Sequence, residues 1–153
     1  MLHLQSNNLI SEQQHGFTPG RSCITQLLDT LDCWTEILDR GGSVDVVYMD
    51  FRKAFDYVPH RRLMQKVKAH GIQGRLHSWI GDFLIDRTQQ VTINGVPSEK
   101  AAVTSGIPQG SVLGPLLFIM YINDLPNHVQ NEVRILTDDR KLFKEVEEEK
   151  QDH

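Results

Sequence analysis

Glu132-Val-Arg-Ile-Leu-Thr-Asp-Asp-Arg-Lys-Leu-Phe-Lys-Glu-Val146 alternates like a pair of strands around two adjacent acids. Glu132 to Leu136 reads as one strand and Lys141 to Val146 as a second, with Thr137-Asp138-Asp139 between them. The stretch is therefore predicted to be a β-hairpin with paired carboxylates at its tip. By itself an Asp pair in a hairpin is an ordinary turn, because Asp tolerates tight turns. A third carboxylate changes its meaning: Ser43-Val-Asp-Val-Val-Tyr-Met-Asp50 is a β-rich run that ends on Asp50. If that strand lies beside the hairpin, Asp50, Asp138 and Asp139 converge. Like charges brought together raise one another's pKa, so such a cluster is unstable without a cation. Oxygen-only ligands suit Mg²⁺, which takes one or two carboxylates and completes its sphere with phosphates. Two such ions stabilise both the attacking and the leaving oxygen in phosphoryl transfer.

Working outward, Ser22 is predicted to cap a helix whose apolar positions are Ile24, Leu27, Leu28, Leu31, Trp34 and Leu38, stopped by Gly41-Gly42. A helix is expected from Pro59, with Leu63, Met64 and Val67 inward and Gly71 as its stop, followed by a short one carrying Leu76, Trp79, Ile80 and Phe83. Val91 and Ile93 lead into Asn94-Gly95, a strong hairpin turn signal, and the return strand is placed at Ala101 to Thr104. The loop Ser105-Gly-Ile-Pro-Gln-Gly110 precedes a helix predicted over Pro115 to Asn123. Helices interleave with hairpins, so the fold class is α+β rather than a doubly wound parallel sheet. There is no internal repeat and no low-complexity linker, and one domain is expected. The last ten residues, from Lys144, hold five acids and two bases and are assigned to an acidic, frayed end, 144–153.

Composition narrows the function classes. The chain has 153 residues and is 39% hydrophobic, enough for a genuine core. Its net charge of -4 gives no global signal for nucleic acid, though a local basic strip can suffice. Such a strip exists: Tyr57 to Gly81 has no acidic residue and holds Arg61, Arg62, Lys66, Lys68 and Arg75, which suit template or primer phosphates. A basic helix face is also an ordinary solvated face. Cys23 and Cys33 fall in one predicted helix about 15 Å apart, too far for a disulfide. Free thiols fit a reducing compartment. With two cysteines and no HxxxH or HExxH spacing, no zinc site is expected. No apolar run reaches the length of a membrane span, the longest, Val112 to Ile122, being broken by Gly114 and Pro115. No signal peptide is visible, so an intracellular protein of nucleus or cytoplasm is expected, not a secreted one.

Four ordered segments carry a family resemblance. Gln14-His-Gly-Phe-Thr-Pro-Gly-Arg-Ser22, Met49-Asp-Phe-Arg-Lys-Ala-Phe-Asp-Tyr-Val-Pro-His60, Ser105-Gly-Ile-Pro-Gln-Gly-Ser-Val-Leu-Gly-Pro-Leu-Leu-Phe118 and Arg134-Ile-Leu-Thr-Asp-Asp-Arg-Lys-Leu142 resemble, in order, the QxGFRPGRS, DFSKAFDxVxH, SGVPQGSxLGPLLF and RLFADDTKL motifs of the reverse transcriptases of non-LTR, LINE-type retrotransposons. Tyr121-Ile-Asn-Asp-Leu-Pro126 continues the match, which covers about Asn7 to Phe143. The resemblance implies a polymerase palm, an antiparallel sheet backed by helices, with part of the fingers and no thumb. Residues 1–143 become a partial reverse transcriptase domain. The implied function is RNA-directed DNA polymerisation by two-metal nucleotidyl transfer, with Mg²⁺ or Mn²⁺, on an RNA template and DNA primer with deoxynucleoside triphosphates.

The same resemblance distributes the residues. Asp50, Asp138 and Asp139 become the catalytic, metal-binding acids. Phe51, Lys53, Ala54, Phe55, Gln109 and Gly110 become the nucleotide-binding set. The Phe55 ring would lie beneath the incoming sugar and exclude a 2′-hydroxyl; Gln109 and Gly110 would contact the incoming nucleotide and the template base. Arg61, Arg62, Lys66 and Lys68 become nucleic-acid contacts. Phe55 and the Pro-Gln-Gly loop argue against an RNA-dependent RNA polymerase. The match departs from the family at Thr18, where Arg is usual, and around the acid pair. There Leu136 replaces an aromatic residue, Thr137 an Ala and Arg140 a Thr. The expectations are that a β-branched Thr137 is tolerable in a strand and that Arg140 sets a cation beside the acids in competition with a metal. The family's earlier fingers segments and its thumb lie outside these motifs, so the chain is expected not to extend a primer alone. The alternative reading is a catalytically inactive remnant that at most binds nucleic acid or a protein partner.

Overall fold

The computed structural model describes residues 1–129, 132–137 and 139–146. In chain order its elements are α1 (Leu2–Ser6), α2 (Cys23–Asp39), β1 (Ser43–Asp50), α3 (His60–Ala69), α4 (Gly74–Leu84), β2 (Arg87–Gln89), β3 (Thr92–Ile93), β4 (Val96–Pro97), β5 (Ala101–Val103), α5 (Leu113–Ile122), β6 (Glu132–Leu136) and β7 (Asp139–Val146), with a 3-10 turn at Leu125–His128. All strand pairs in its sheets are antiparallel, and helices intervene between them. The chain packs as two compact units. One takes Met1–Leu9 and Lys53–Tyr121; the other takes Ile10–Arg52 and the chain from Ile122 onward. Among the described residues no helix is long and apolar enough to cross a membrane.

The unit from Ile10 is built on a three-stranded sheet in the order β1-β7-β6. The β6–β7 hairpin closes at the pair Leu136↔Asp139. β1 runs along the whole of β7, from Ser43↔Val146 to Asp50↔Asp139. Lys144, Glu145 and Val146, assigned from sequence both to the strand Lys141 to Val146 and to a frayed end, are strand residues that pair with Asp45, Val44 and Ser43. The remainder of that end, 147–153, lies outside the described residues. The open side of β6 is covered at one point: the His15 N–H donates to the Ile135 carbonyl at 2.8 Å and the Ile135 N–H to the Gln13 carbonyl at 2.9 Å. Such cover removes unpaired edge groups that would otherwise template another strand.

Helix α2 begins where the sequence places it. The Ser22 hydroxyl accepts from the Thr25 N–H, and Thr25 returns a bond to the Ser22 N–H, which together form a capping box. Its packing differs from expectation. Ile24, Leu27, Leu28, Leu31 and Leu38 are exposed, whereas Gln26, Thr30 and Ile37 are buried. The polar pair is admitted because it is bonded: the Thr30 hydroxyl donates to the Gln26 carbonyl at 2.7 Å, and the Lys141 ammonium reaches Gln26 Oε1 at 3.4 Å. Trp34 meets Phe143 edge-on, ring centroids 5.9 Å apart, and Arg134 pairs with Asp29 and Glu132. Cys23 and Cys33 are both free thiols on this helix.

In the other unit, α3 buries Leu63 and Val67 and α4 buries Ile80 and Leu84. Helix α5 is apolar all round and is accordingly enclosed, with Leu117, Phe118, Ile119 and Met120 all buried. Asn94 and Gly95 both take positive φ, 50° and 81°, the geometry of a tight two-residue hairpin turn. Such a turn joins adjacent residues, so the return strand is Val96–Pro97 rather than Ala101 to Thr104. Ala101–Val103 pairs outside that hairpin, with Arg87–Gln89.

Candidate active site

The alternation of side chains along a strand decides which groups share a face of the three-stranded sheet. Asp50 ends β1, Asp139 begins β7, and the two are directly opposed. Opposed residues of an antiparallel pair project to the same side with Cβ atoms about 4.5–5.5 Å apart. Leu136 faces Asp139 from the third strand. Both carboxylates are exposed. They open on a cleft of about 330 Å³ whose lining includes Tyr48, Leu136 and Lys141 from the sheet and Cys23 and Gln26 from α2. Two opposed, solvent-facing carboxylates form an oxygen-only donor set of the kind Mg²⁺ and Mn²⁺ take. Asp138, the third acid expected here, lies outside the described residues. Among the described residues no group of three or more His, Cys, Asp and Glu side chains stands ready to hold a metal.

One expectation about this hairpin needs correction. Thr137 is not a strand residue: its φ is 61°, in the left-handed region, and it is buried. A β-branched residue there is a genuine outlier, so the surroundings must hold it. Arg140 opposes Met49 and Ile135, one residue along from Asp139. It also lines the cleft that Asp50 and Asp139 share. It is 1% exposed, and its guanidinium lies 3.5 Å from the centroid of the Phe51 ring. The cation thus lines the same cleft as the acids, as the sequence expectation had it, and its guanidinium also stacks on an aromatic face. Phe51, expected to bind nucleotide, is the ring on which it stacks.

The other expected nucleotide-binding residues belong to the unit that starts again at Lys53. Lys53 has a φ of 51° and accepts backbone bonds from Asp56 and Tyr57, so Ala54 lies inside a tight turn. The half-buried Phe55 ring stacks on Phe118 at 4.3 Å with an interplanar angle of 22°. The loop before α5 is stitched to this turn. The Ile107 N–H donates to the Phe55 carbonyl at 2.9 Å, the Gly106 N–H to the Val58 carbonyl at 2.9 Å, and the Ser105 hydroxyl to the Asp56 carbonyl at 2.9 Å. Lys53 and Gln109 line one cleft of about 450 Å³, and Arg87 lines it with them. Gly110 is exposed beside Gln109. Arg87, which the sequence reading did not single out, reaches this cleft from the start of β2.

Arg61, Arg62 and Lys68 are exposed on α3 and Lys66 is half-buried. The inward positions Leu63 and Val67 fix the opposite face, so the four bases form an outward arc. Lys66 and Lys68 also sit in the last turn, where a cation complements the helix dipole without any ligand.

Comparison with known proteins resolves the family. The reverse transcriptase (RNA-dependent DNA polymerase) family model matches residues 1–153. The chain belongs to the reverse transcriptase family. It is 31% identical over 119 residues to the RNA-directed DNA polymerase from mobile element jockey of Drosophila melanogaster, a match covering 78% of this chain and 13% of that protein. The jockey polymerase of Drosophila funebris is 32% identical over 134 residues, 88% of this chain and 14% of the relative. The probable RNA-directed DNA polymerase from transposon X-element of Drosophila melanogaster is 30% identical over 123 residues, 80% and 13% respectively. This reverse transcriptase chain thus matches only about one-seventh of each relative's length. Mobile-element polymerases are the relatives that the four motifs implied.

Proposed function

We propose that this chain contributes the catalytic palm of an RNA-templated DNA polymerase of a non-LTR retrotransposon, joining deoxynucleotides by two-metal nucleotidyl transfer. The observation that carries the reading is the opposition of Asp50 and Asp139 at the mouth of the hairpin. Asp50 and Asp139, with Asp138, hold divalent cations. When bound, these ions supply charge stabilisation to the attacking and leaving oxygens. The residues of the chain do the rest by position. Phe55, backed by Phe118, presents a ring whose bulk disfavours a 2′-hydroxyl. Lys53 and Arg87 offer cations to phosphate, and Gln109 and Gly110 offer polar and backbone contacts to the incoming nucleotide. Ala54 lies in the turn that the Lys53 carbonyl closes, and Phe51 stacks against Arg140. Arg61, Arg62, Lys66 and Lys68 meet template or primer phosphates, which fix register without reading sequence.

The test is nucleotide binding by the chain in the presence of Mn²⁺, measured with a fluorescent deoxynucleoside triphosphate. Binding is expected to vanish with chelator and in Asp50→Ala, and a ribonucleotide is expected to compete poorly until Phe55→Ala removes the ring. Equal binding by wild type and Asp50→Ala, or no dependence on Mn²⁺, overturns the reading.

A further inference from the structure

The hairpin tip leaves β6 through Thr137, a β-branched residue at a positive φ, and something must hold it there. One side chain is placed to do so. Gln14 is 2% exposed, and its Oε1 accepts the Thr137 N–H at 3.2 Å and the Gly16 N–H at 2.8 Å. The backbone on either side of Gln14 is bonded to Ile135, two residues before Thr137. The carboxamide therefore cannot drift relative to β6. Gly16 allows the approach: a Cβ there would stand 2.2 Å from Thr137 Oγ1 and 2.6 Å from Thr137 N. Thr137 lies between Leu136 and the acid pair, and Leu136 is paired with Asp139.

We propose that Gln14 is a positioning residue for the acid site: its buried oxygen fixes the backbone at Thr137 and so helps to set Asp139 against Asp50. The proposal rests on the reading of Asp50 and Asp139 as a metal site. Gln14 touches neither metal nor substrate. It acts as outer partners of metal ligands do, through orientation, and loss of such a partner weakens metal binding about 10–100-fold.

The experiment is a Mn²⁺ titration of the 153-residue chain by electron paramagnetic resonance, with unfolding measured on the same samples. Gln14→Met keeps the length of the side chain and removes the acceptor; Gln14→Glu keeps an acceptor in the same place. Gln14→Met is expected to bind Mn²⁺ about 10–100-fold more weakly while still folded, and Gln14→Glu to recover most of that loss. Wild-type affinity in folded Gln14→Met, with binding lost in Asp50→Ala, overturns the positioning role and leaves the metal site standing. Equal binding by wild type and Asp50→Ala removes the metal site, and the positioning role with it. A second measurement needs no variant: scalar coupling across the hydrogen bond between Thr137 N and Gln14 Cδ in the wild-type chain. Its presence supports the proposal, and its absence overturns it even where Gln14→Met fails to fold.

Discussion

Gly16→Ala is the smallest change that strikes the base of the hairpin tip. The new methyl would stand 2.2 Å from Thr137 Oγ1, 2.6 Å from Thr137 N and 3.2 Å from Gln14 Oε1. The first two distances are shorter than real Cβ contacts. The hydroxyl could move by rotation, but the nitrogen is backbone, so the tip or the segment from Gln14 must shift. Overpacking of this kind costs about 1–3 kcal/mol, and a backbone obstacle argues for the upper half of that range. For a chain of this size each kcal/mol moves the melting temperature by about 2–4 °C, so a fall of about 5–10 °C is expected. Thermal and urea unfolding followed by circular dichroism measure it. Adding Thr137→Ala removes the oxygen and leaves the nitrogen, so the pair should recover part of the loss, with a coupling expected of residues that touch. A Gly16→Ala chain that melts with wild type would refute the reasoning that this close approach holds the tip.

Two further outcomes follow from the charges. Arg61→Glu, Arg62→Glu and Lys66→Glu together should weaken binding of a primer-template and lower the salt dependence by about one in the log-log slope for each phosphate that the arc no longer neutralises; unchanged affinity in a fluorescence anisotropy titration would mark the basic arc as a solvated face. His15 is held below its ordinary pKa of 6.5, first by burial and then by the Arg21 and Arg134 charges, against an opposing effect of Asp29. The unfolded chain then binds the extra proton first, so this contribution is intact above pH 6.5 and is lost as pH falls through 6.5 towards the lower folded value. His15→Gln should flatten that part of the stability profile in urea unfolding at a series of pH values; an identical slope in both chains would rule the histidine out as its source.

What the sequence disclosed was local. The bounds of β1, the Ser22 cap, the Asn94-Gly95 turn and the inward Leu63 and Val67 all follow from propensity, capping and period, which act within a few residues. The opposition of Asp50 and Asp139 was legible because both residues end strands and the motifs stood in order. What escaped depends on neighbours far along the chain. The apolar stripe of α2 gave its period, but the face that is buried carries Gln26 and Thr30, whose partners include Lys141. Arg140 reads in sequence as a charge beside two acids, and it lines their cleft; its burial and its stacking on Phe51 were not legible. Thr137 was read as the start of the hairpin tip, but its left-handed backbone was not legible, because a β-branched side chain normally avoids a positive φ. Gln14 was visible only as a letter in a motif, since its bond to Thr137 spans 123 residues.

Asp50 and Asp139 are expected to hold one metal site between them. Calorimetric titration of Mn²⁺ into wild type, Asp50→Ala, Asp139→Ala and the double variant tests it most directly. Groups that act on one ion are strongly non-additive. Each single replacement is expected to abolish most of the binding, and the double to bind no worse than either single. Wild-type affinity in either single variant, or two partial losses that simply add in the double, would contradict the account.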